Sequence, residues 1–177
     1  MPARIACGLV FTRAAYLIDS LITRLGRIAA WLNLLLVMVV VTQVVLRYGF
    51  HHGLVPLEEL MWHLYATSFM LGLSYALVRD AHVRVDLFHG RWSPRTKAWV
   101  EIAGILLLLL PFAFVIFDQS LAWVATSYRL GEASENPTGL AYRWLIKGVI
   151  PVSFGLLLLA ALSRLWRELP VAFGRRA

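Results

Sequence analysis

The 177 residues contain one cysteine, Cys7. A single thiol rules out an intramolecular disulfide and any CxxC redox or metal motif. Charge is scarce as well: Asp, Glu, Lys and Arg make up 15% of the chain. The five histidines are His51, His52, His63, His82 and His89. Axial ligation of a b-type haem needs histidines facing each other from different helices. Only His63 falls inside an apolar run, so a haem-bearing electron-transfer subunit is a weak alternative. His51 and His52 are adjacent and point differently, with no third ligand nearby, so no metal site is expected. No nucleophile–base constellation and no phosphate-binding loop occurs, so an enzyme is not expected. The formal charge is +7, yet the basic residues stand at the ends of apolar runs. A nucleic-acid binder gathers them in a patch on a soluble surface, so no nucleic-acid partner is expected.

What the chain has in excess is apolar surface, at 60% hydrophobic residues against about 45–50% in soluble domains. In water such a chain exposes large apolar patches, so a lipid environment is the first reading. A spanning helix needs about 20 mostly apolar residues, and four segments qualify: 28–46, 60–78, 98–117 and 149–165. None alternates with period two, which argues against a β-barrel. The expected fold is an all-α integral membrane protein with four transmembrane helices. An N-terminal amphipathic helix precedes them, and a short interfacial elbow with Leu87, Phe88 and Trp92 joins helices two and three. Three regions follow: an amphipathic segment 1–27, a transmembrane domain 28–168 and a basic tail 169–177. The early apolar run is short and broken by Arg13, so the first crossing reads as an uncleaved signal anchor.

Orientation follows from the basic residues. With both termini on one side, that side holds thirteen Lys and Arg: Arg4, Arg13, Arg24, Arg27, Arg79, Arg84, Arg91, Arg95, Lys97, Arg164, Arg167, Arg175 and Arg176. The other side holds four: Arg47, Arg129, Arg143 and Lys147. Cytoplasmic loops carry the excess, which predicts cytoplasmic termini in a bacterial inner membrane.

Punctuation agrees with these spans. Pro56 stands in the first turn of the second helix, and Glu58 and Glu59 complement the positive end of its dipole. Ser93 and Pro94 read as N-cap and first residue of the third. That helix is free to run on towards Tyr128, with Pro111 and Gly104 as candidate bend points. Residues 130–143 form the one substantial external loop. Pro151 is placed near the start of the last crossing, where it removes little bonding. No internal repeat is visible, which argues against an inverted-repeat transporter.

The central turns of the four crossings carry no acid or base. Asn33 and Gln43 are expected to make interhelical hydrogen bonds. Glu101 and Asp118 are expected at helix ends, pairing with Arg or reaching the interface. A self-sufficient small oligomeric multidrug-type exporter needs a membrane-embedded carboxylate, and the central turns supply none. Small residues around Gly72, Gly155, Ala160 and Ala161 offer packing faces, and seven tryptophans fall mainly near the interfaces.

The stretches "PLEELMWHLYATSFMLGLSYALVRDAHVRVDLF" and "NPTGLAYRWLIKGVIPVSFGLLLLAAL" give the chain a family likeness. Over roughly residues 28–168 it resembles the small, DctQ-like membrane subunit of tripartite ATP-independent periplasmic (TRAP) transporters. The elements that carry the likeness are Glu58 and Glu59, Gly72, and His82 through Asp86 with Arg84 between them. Met61, Trp62 and His63 stand where many members have an arginine. The resemblance implies a scaffold subunit packed beside a large multi-spanning subunit that holds the substrate and sodium sites, so no cofactor is expected in this chain. It also implies a periplasmic substrate-binding protein that captures an organic acid and docks on the membrane pair. Membrane lipids are the remaining partner. Candidate interface or structural residues are Glu58, Glu59, Gly72, Arg79, His82, Arg84, Asp86, Lys147 and Pro151. For the corner after helix two, pairing of Asp80 or Asp86 with Arg79 or Arg84 is expected.

Overall fold

A computed structural model describes residues 2–81 and 92–174, with side chains from residue 15 onward. Helix α1 covers Pro2–Val44 and ends in a π-helical turn, Val45–Gly49. Helix α2 covers Val55–Val78. Helix α3, Pro94–Gly104, runs through a second π turn, Ile105–Leu109, into α4, Leu110–Arg129. Helix α5 covers Arg143–Ala172. No strand occurs among the described residues. His82, Arg84 and Asp86, and most of the expected elbow, lie outside them.

The expected starts and stops are present with their chemistry. Ser93 caps α3 by accepting from the Thr96 N–H at 3.2 Å. The α3–α4 rod does not break at Pro111. The π turn just before it widens the helix where proline supplies no N–H, and helical backbone runs on through residue 111. Helix α4 ends at Gly131, whose φ of +58° suits a residue without Cβ. There Gly131 N–H donates to Tyr128 O and Glu132 N–H to Ser127 O, the paired bonds of a Schellman ending. Helix α2 ends the same way, with Ala81 N–H on Ala76 O and Asp80 N–H on Leu77 O. Here the left-handed position is held by Asp80, at φ +56°.

Two expectations change. α1 continues unbroken through residues 27 and 28, so the amphipathic segment and first crossing form one rod. Its early turns pack into the protein: Ile22 is buried, and Asp19 accepts from the Ser163 hydroxyl on α5 at 2.8 Å. Pro151 sits in the helix interior rather than near its start, because α5, expected to be entered a few residues before Val149, begins at Arg143. Its missing N–H therefore removes one interior hydrogen bond.

Among the described residues three stretches are long and apolar enough to cross a membrane: Ala15–Gly49, Pro94–Arg129 and Arg143–Ala172. Helix α2 has the length, about 36 Å at 1.5 Å per residue. It falls short in apolarity because Trp62, His63, Tyr65, Thr67, Ser68, Ser74 and Tyr75 interrupt it. Two of those hydroxyls are satisfied internally: Ser68 donates to Ala29 O and Ser74 to Leu71 O.

Helix α5 is the centre of the arrangement. It touches α1, α2 and the α3–α4 rod, while the rod packs chiefly on α5. The core is small: Ile22, Leu77, Ile105, Ala113, Phe154, Leu156 and Leu157 gather around the fully buried Ala160 and Ala161. Those alanines allow close helix approach. The accessible surface is 12587 Å², against about 8,700 Å² for a compact soluble protein of this mass. Much of the excess is apolar and lies on the outer faces, including Trp31, Met38, Trp62, Phe69, Leu107 and Phe114.

Candidate functional site

Polar side chains collect in two layers at opposite ends of the helices. The first centres on Arg164 of α5, whose side chain is only 8% exposed. Its Nη1 donates to Leu77 O at 2.9 Å, and its Nη2 to Asp80 Oδ1 at 2.7 Å. Its Nε lies 2.6 Å from Glu101 Oε1. One guanidinium thus ties the end of α2, the second half of α3 and the body of α5. A planar fork of five donors suits three partners at fixed angles. One turn away, Arg167 pairs with Asp19 at 3.0 Å and brings α1 into the same layer. Asp80 explains its own backbone: Asp tolerates the left-handed region, and from there its carboxylate reaches Arg164. Arg79 stands over the Tyr75 ring at 6.0 Å.

The second layer contains the acidic pair, and its two members do different work. Glu58 faces α1, accepting from Arg47 Nη1 at 3.2 Å and Gln43 Nε2 at 3.3 Å. Gln43 is buried, and its Oε1 accepts from Leu54 N–H, so it makes the interhelical contact expected of it. Asn33 does not: it lies on the exposed face of α1. Glu59 faces the opposite way, onto the loop between α4 and α5. It accepts from the Ser134 hydroxyl, from Asn136 Nδ2 at 3.0 Å and from Leu140 N–H at 2.6 Å. Those donors, Ser134 foremost, hold its carboxyl down to about 2. The loop is therefore ordered, with Ser134 N–H on Leu140 O and Arg143 N–H on Glu132 O closing it.

Lys147 joins the same layer. It is 11% exposed, pairs with Glu132, and stands 4.3 Å from the centre of the Trp123 ring. Its ammonium holds the Glu132 carboxyl below the usual range. Gly72 sits elsewhere, midway along α2, where an added Cβ would meet nothing within 4 Å. It faces away from the rest of the chain, as do Trp62, Tyr65 and Phe69 on the same stripe. The close helix contact is instead at Gly26, where a Cβ would fall 2.7 Å from Tyr75 Cβ.

Between the layers no acids or bases converge. Asp118, expected at the end of its crossing, lies eleven residues before the end of α4, on an exposed face. His63 is just over two turns into α2. Among the described residues no group of His, Cys, Asp or Glu is arranged to hold a metal.

Residues 36–171 match the family model described as Tripartite ATP-independent periplasmic transporters, DctQ component. The chain belongs to the DctQ family. The match covers the last turns of α1, both polar layers apart from Asp19, and nearly all of α5, so this DctQ protein is a membrane component of a tripartite transporter. Comparison with individual curated proteins gives no match.

The two layers were partly visible in the sequence. Glu58, Glu59 and Lys147 were candidates, although the loop latch by Glu59 was not foreseen. Asp19, Glu132 and Arg164 were missed as organising residues. Asp19 and Ser163 are 144 residues apart, and no local pattern links them.

Proposed function

We propose that this DctQ protein is the scaffold subunit of a sodium-driven TRAP importer of organic acids in the bacterial inner membrane. It braces the large transport subunit, and its Glu59 end helps the periplasmic binding protein dock. All four long helices cross the bilayer, with both termini in the cytoplasm. Helix α2 is included because it links the two polar layers: Glu59 in its first turns and Asp80, two residues past its end, are twenty-one residues apart, about 32 Å at helical rise. Lys147 and Arg164 on α5 are about 26 Å apart, and Glu101 and Trp123 on the rod about 33 Å. These separations fit a hydrocarbon core of about 30 Å with modest tilts.

One observation carries the scaffold reading. Between the layers the helices bring together no ionisable groups that could hold an ion or a carboxylate, while wide apolar faces remain on an open helix layer. Asp118 stands alone on such a face, suited to cover by a neighbouring protein rather than to line a pathway. A rigid frame of this kind resists being dragged when a transport domain moves beside it.

Affinity purification in mild detergent tests the reading. Recovery of a much larger hydrophobic partner at one-to-one ratio supports it. A lone homo-oligomer contradicts it and favours the exporter.

A further inference from the structure

Helix α2 and helix α4 lean on α5 without packing against each other, and at the Glu59 end this leaves a groove of about 550 Å³. That volume lies within the range of small-ligand sites, ~300–1,000 Å³. Its floor is apolar: Ala66 and Met70 from α2 face Val149 and Ile150 from α5. Its mouth carries both signs of charge, from Arg143 and Lys147 on one hand and Glu132 and Glu135 on the other. Trp123, the kind of ring that sits at headgroup level, forms one wall.

The two ion pairs at the mouth are unequal. Lys147 and Glu132 are in close contact and mostly covered. Arg143 and Glu135 are 3.8 Å apart, and the Glu135 side chain is almost fully exposed. The second pair is loose, and screened pairs of this kind contribute little. It is free to open around a guest that offers one anionic and one cationic group. A guanidinium binds phosphate through two parallel N–H donors, and a carboxylate accepts from an ammonium.

We infer that this groove binds one bilayer phospholipid with a zwitterionic, primary-amine headgroup. Its acyl chain lies along Met70 and Ile150, its phosphate meets Arg143 and its ammonium meets Glu135. An anionic glycerol headgroup offers Glu135 hydroxyl donors but no cation. A quaternary ammonium has no N–H to donate to it. The inference rests on the membrane placement of α2, α4 and α5 and is independent of what the transporter carries.

The test uses the full chain, purified and delipidated in detergent, then mixed separately with dioleoylphosphatidylethanolamine, -choline and -glycerol. Native mass spectrometry counts the retained lipid, and thermal unfolding reads its effect. One ethanolamine lipid per chain is expected, with the other two retained at least about fivefold less well. Arg143→Gln combined with Glu135→Gln lowers retention about tenfold, the scale of one lost charge-assisted contact, while the unliganded melting temperature holds. Ala66→Phe, which fills the floor, abolishes retention with the mouth intact. Equal retention of all three lipids, or no effect of either variant, overturns the inference. So does loss of the lipid when the large subunit is present, which assigns the groove to that partner. None of these outcomes bears on whether the complex transports, so the two readings fail separately.

Discussion

Replacing Arg164 by Met removes the guanidinium that three helices share while keeping an unbranched side chain of similar length. In the native protein this group is 8% exposed, donates to Leu77 O at 2.9 Å and to Asp80 Oδ1 at 2.7 Å, and holds its Nε in an ion pair with Glu101 at 2.6 Å. Its loss takes one donor from Leu77 O, which keeps the Asp80 N–H, and leaves two carboxylates without the cation between them. Breaking a buried pair from one side costs about 3–5 kcal/mol. Asp80 is 52% exposed and Glu101 24%, so water recovers part of the loss. The expected cost is about 3 kcal/mol, or roughly 150-fold in the folding equilibrium. Denaturant unfolding in detergent micelles, followed by tryptophan fluorescence, measures it. Arg164→Lys should lose less, since an ammonium keeps the charge but cannot reach all three partners. Adding Asp80→Asn to Arg164→Met should cost less than the sum of the two, because the neutral amide no longer repels Glu101. If Arg164→Met unfolds within about 0.5 kcal/mol of wild type, the inner layer is not what fixes α2, α3 and α5 together.

Four further outcomes follow from the same geometry. Glu59→Gln should release the loop between α4 and α5 at pH 7, read as faster amide exchange at Leu140 and faster proteolysis near Asn136. Because the folded carboxyl titrates at about 2 against an ordinary 4.5, the latch contributes fully above about pH 4.5. It is lost as pH falls through about 2, so the wild-type loop should stay protected at pH 5 and open in stronger acid. Gly26→Ala pushes a methyl into Tyr75 and should destabilise by about 1–3 kcal/mol, whereas Gly72→Ala should change the isolated chain's stability by less than about 0.5 kcal/mol. Asp118→Leu should leave the isolated chain's stability within about 0.5 kcal/mol but reduce the large subunit recovered with it. For topology, in a Cys7→Ala background, Glu135→Cys should react with an impermeant maleimide in intact spheroplasts, and Gly174→Cys only after permeabilisation.

The helices were legible because their causes are local. Apolar runs of spanning length, Pro56 and Pro94 at starts, and the Ser93 cap each act within a few residues. Helix three was expected to be able to reach Tyr128, and it ends at Arg129. Helix α2 was read as a crossing from its length, yet its polar groups keep it below a plain apolarity criterion, because partners such as Ala29 O satisfy Ser68. Long-range pairing was not legible. Glu58 and Glu59 stood together in the sequence as one acidic pair, but adjacent side chains on a helix point about 100° apart. One therefore serves α1 and the other the loop 75 to 81 residues away. Arg164 showed only as a charge near the end of an apolar run. Its role depends on where α2 and α3 bring Asp80 and Glu101. Gly72 carries the family likeness, yet a Cβ there would meet nothing within 4 Å in this chain, so a need for glycine at that position points outside it.

Solute uptake by reconstituted vesicles tests the central claim most directly. With an imposed sodium gradient, vesicles holding this chain alone should take up no organic acid at any protein density. Vesicles that also hold the large subunit, supplied with the loaded binding protein, should take it up. Sodium-dependent uptake by this chain alone would contradict the account, because its helices would then have to form a pathway of their own.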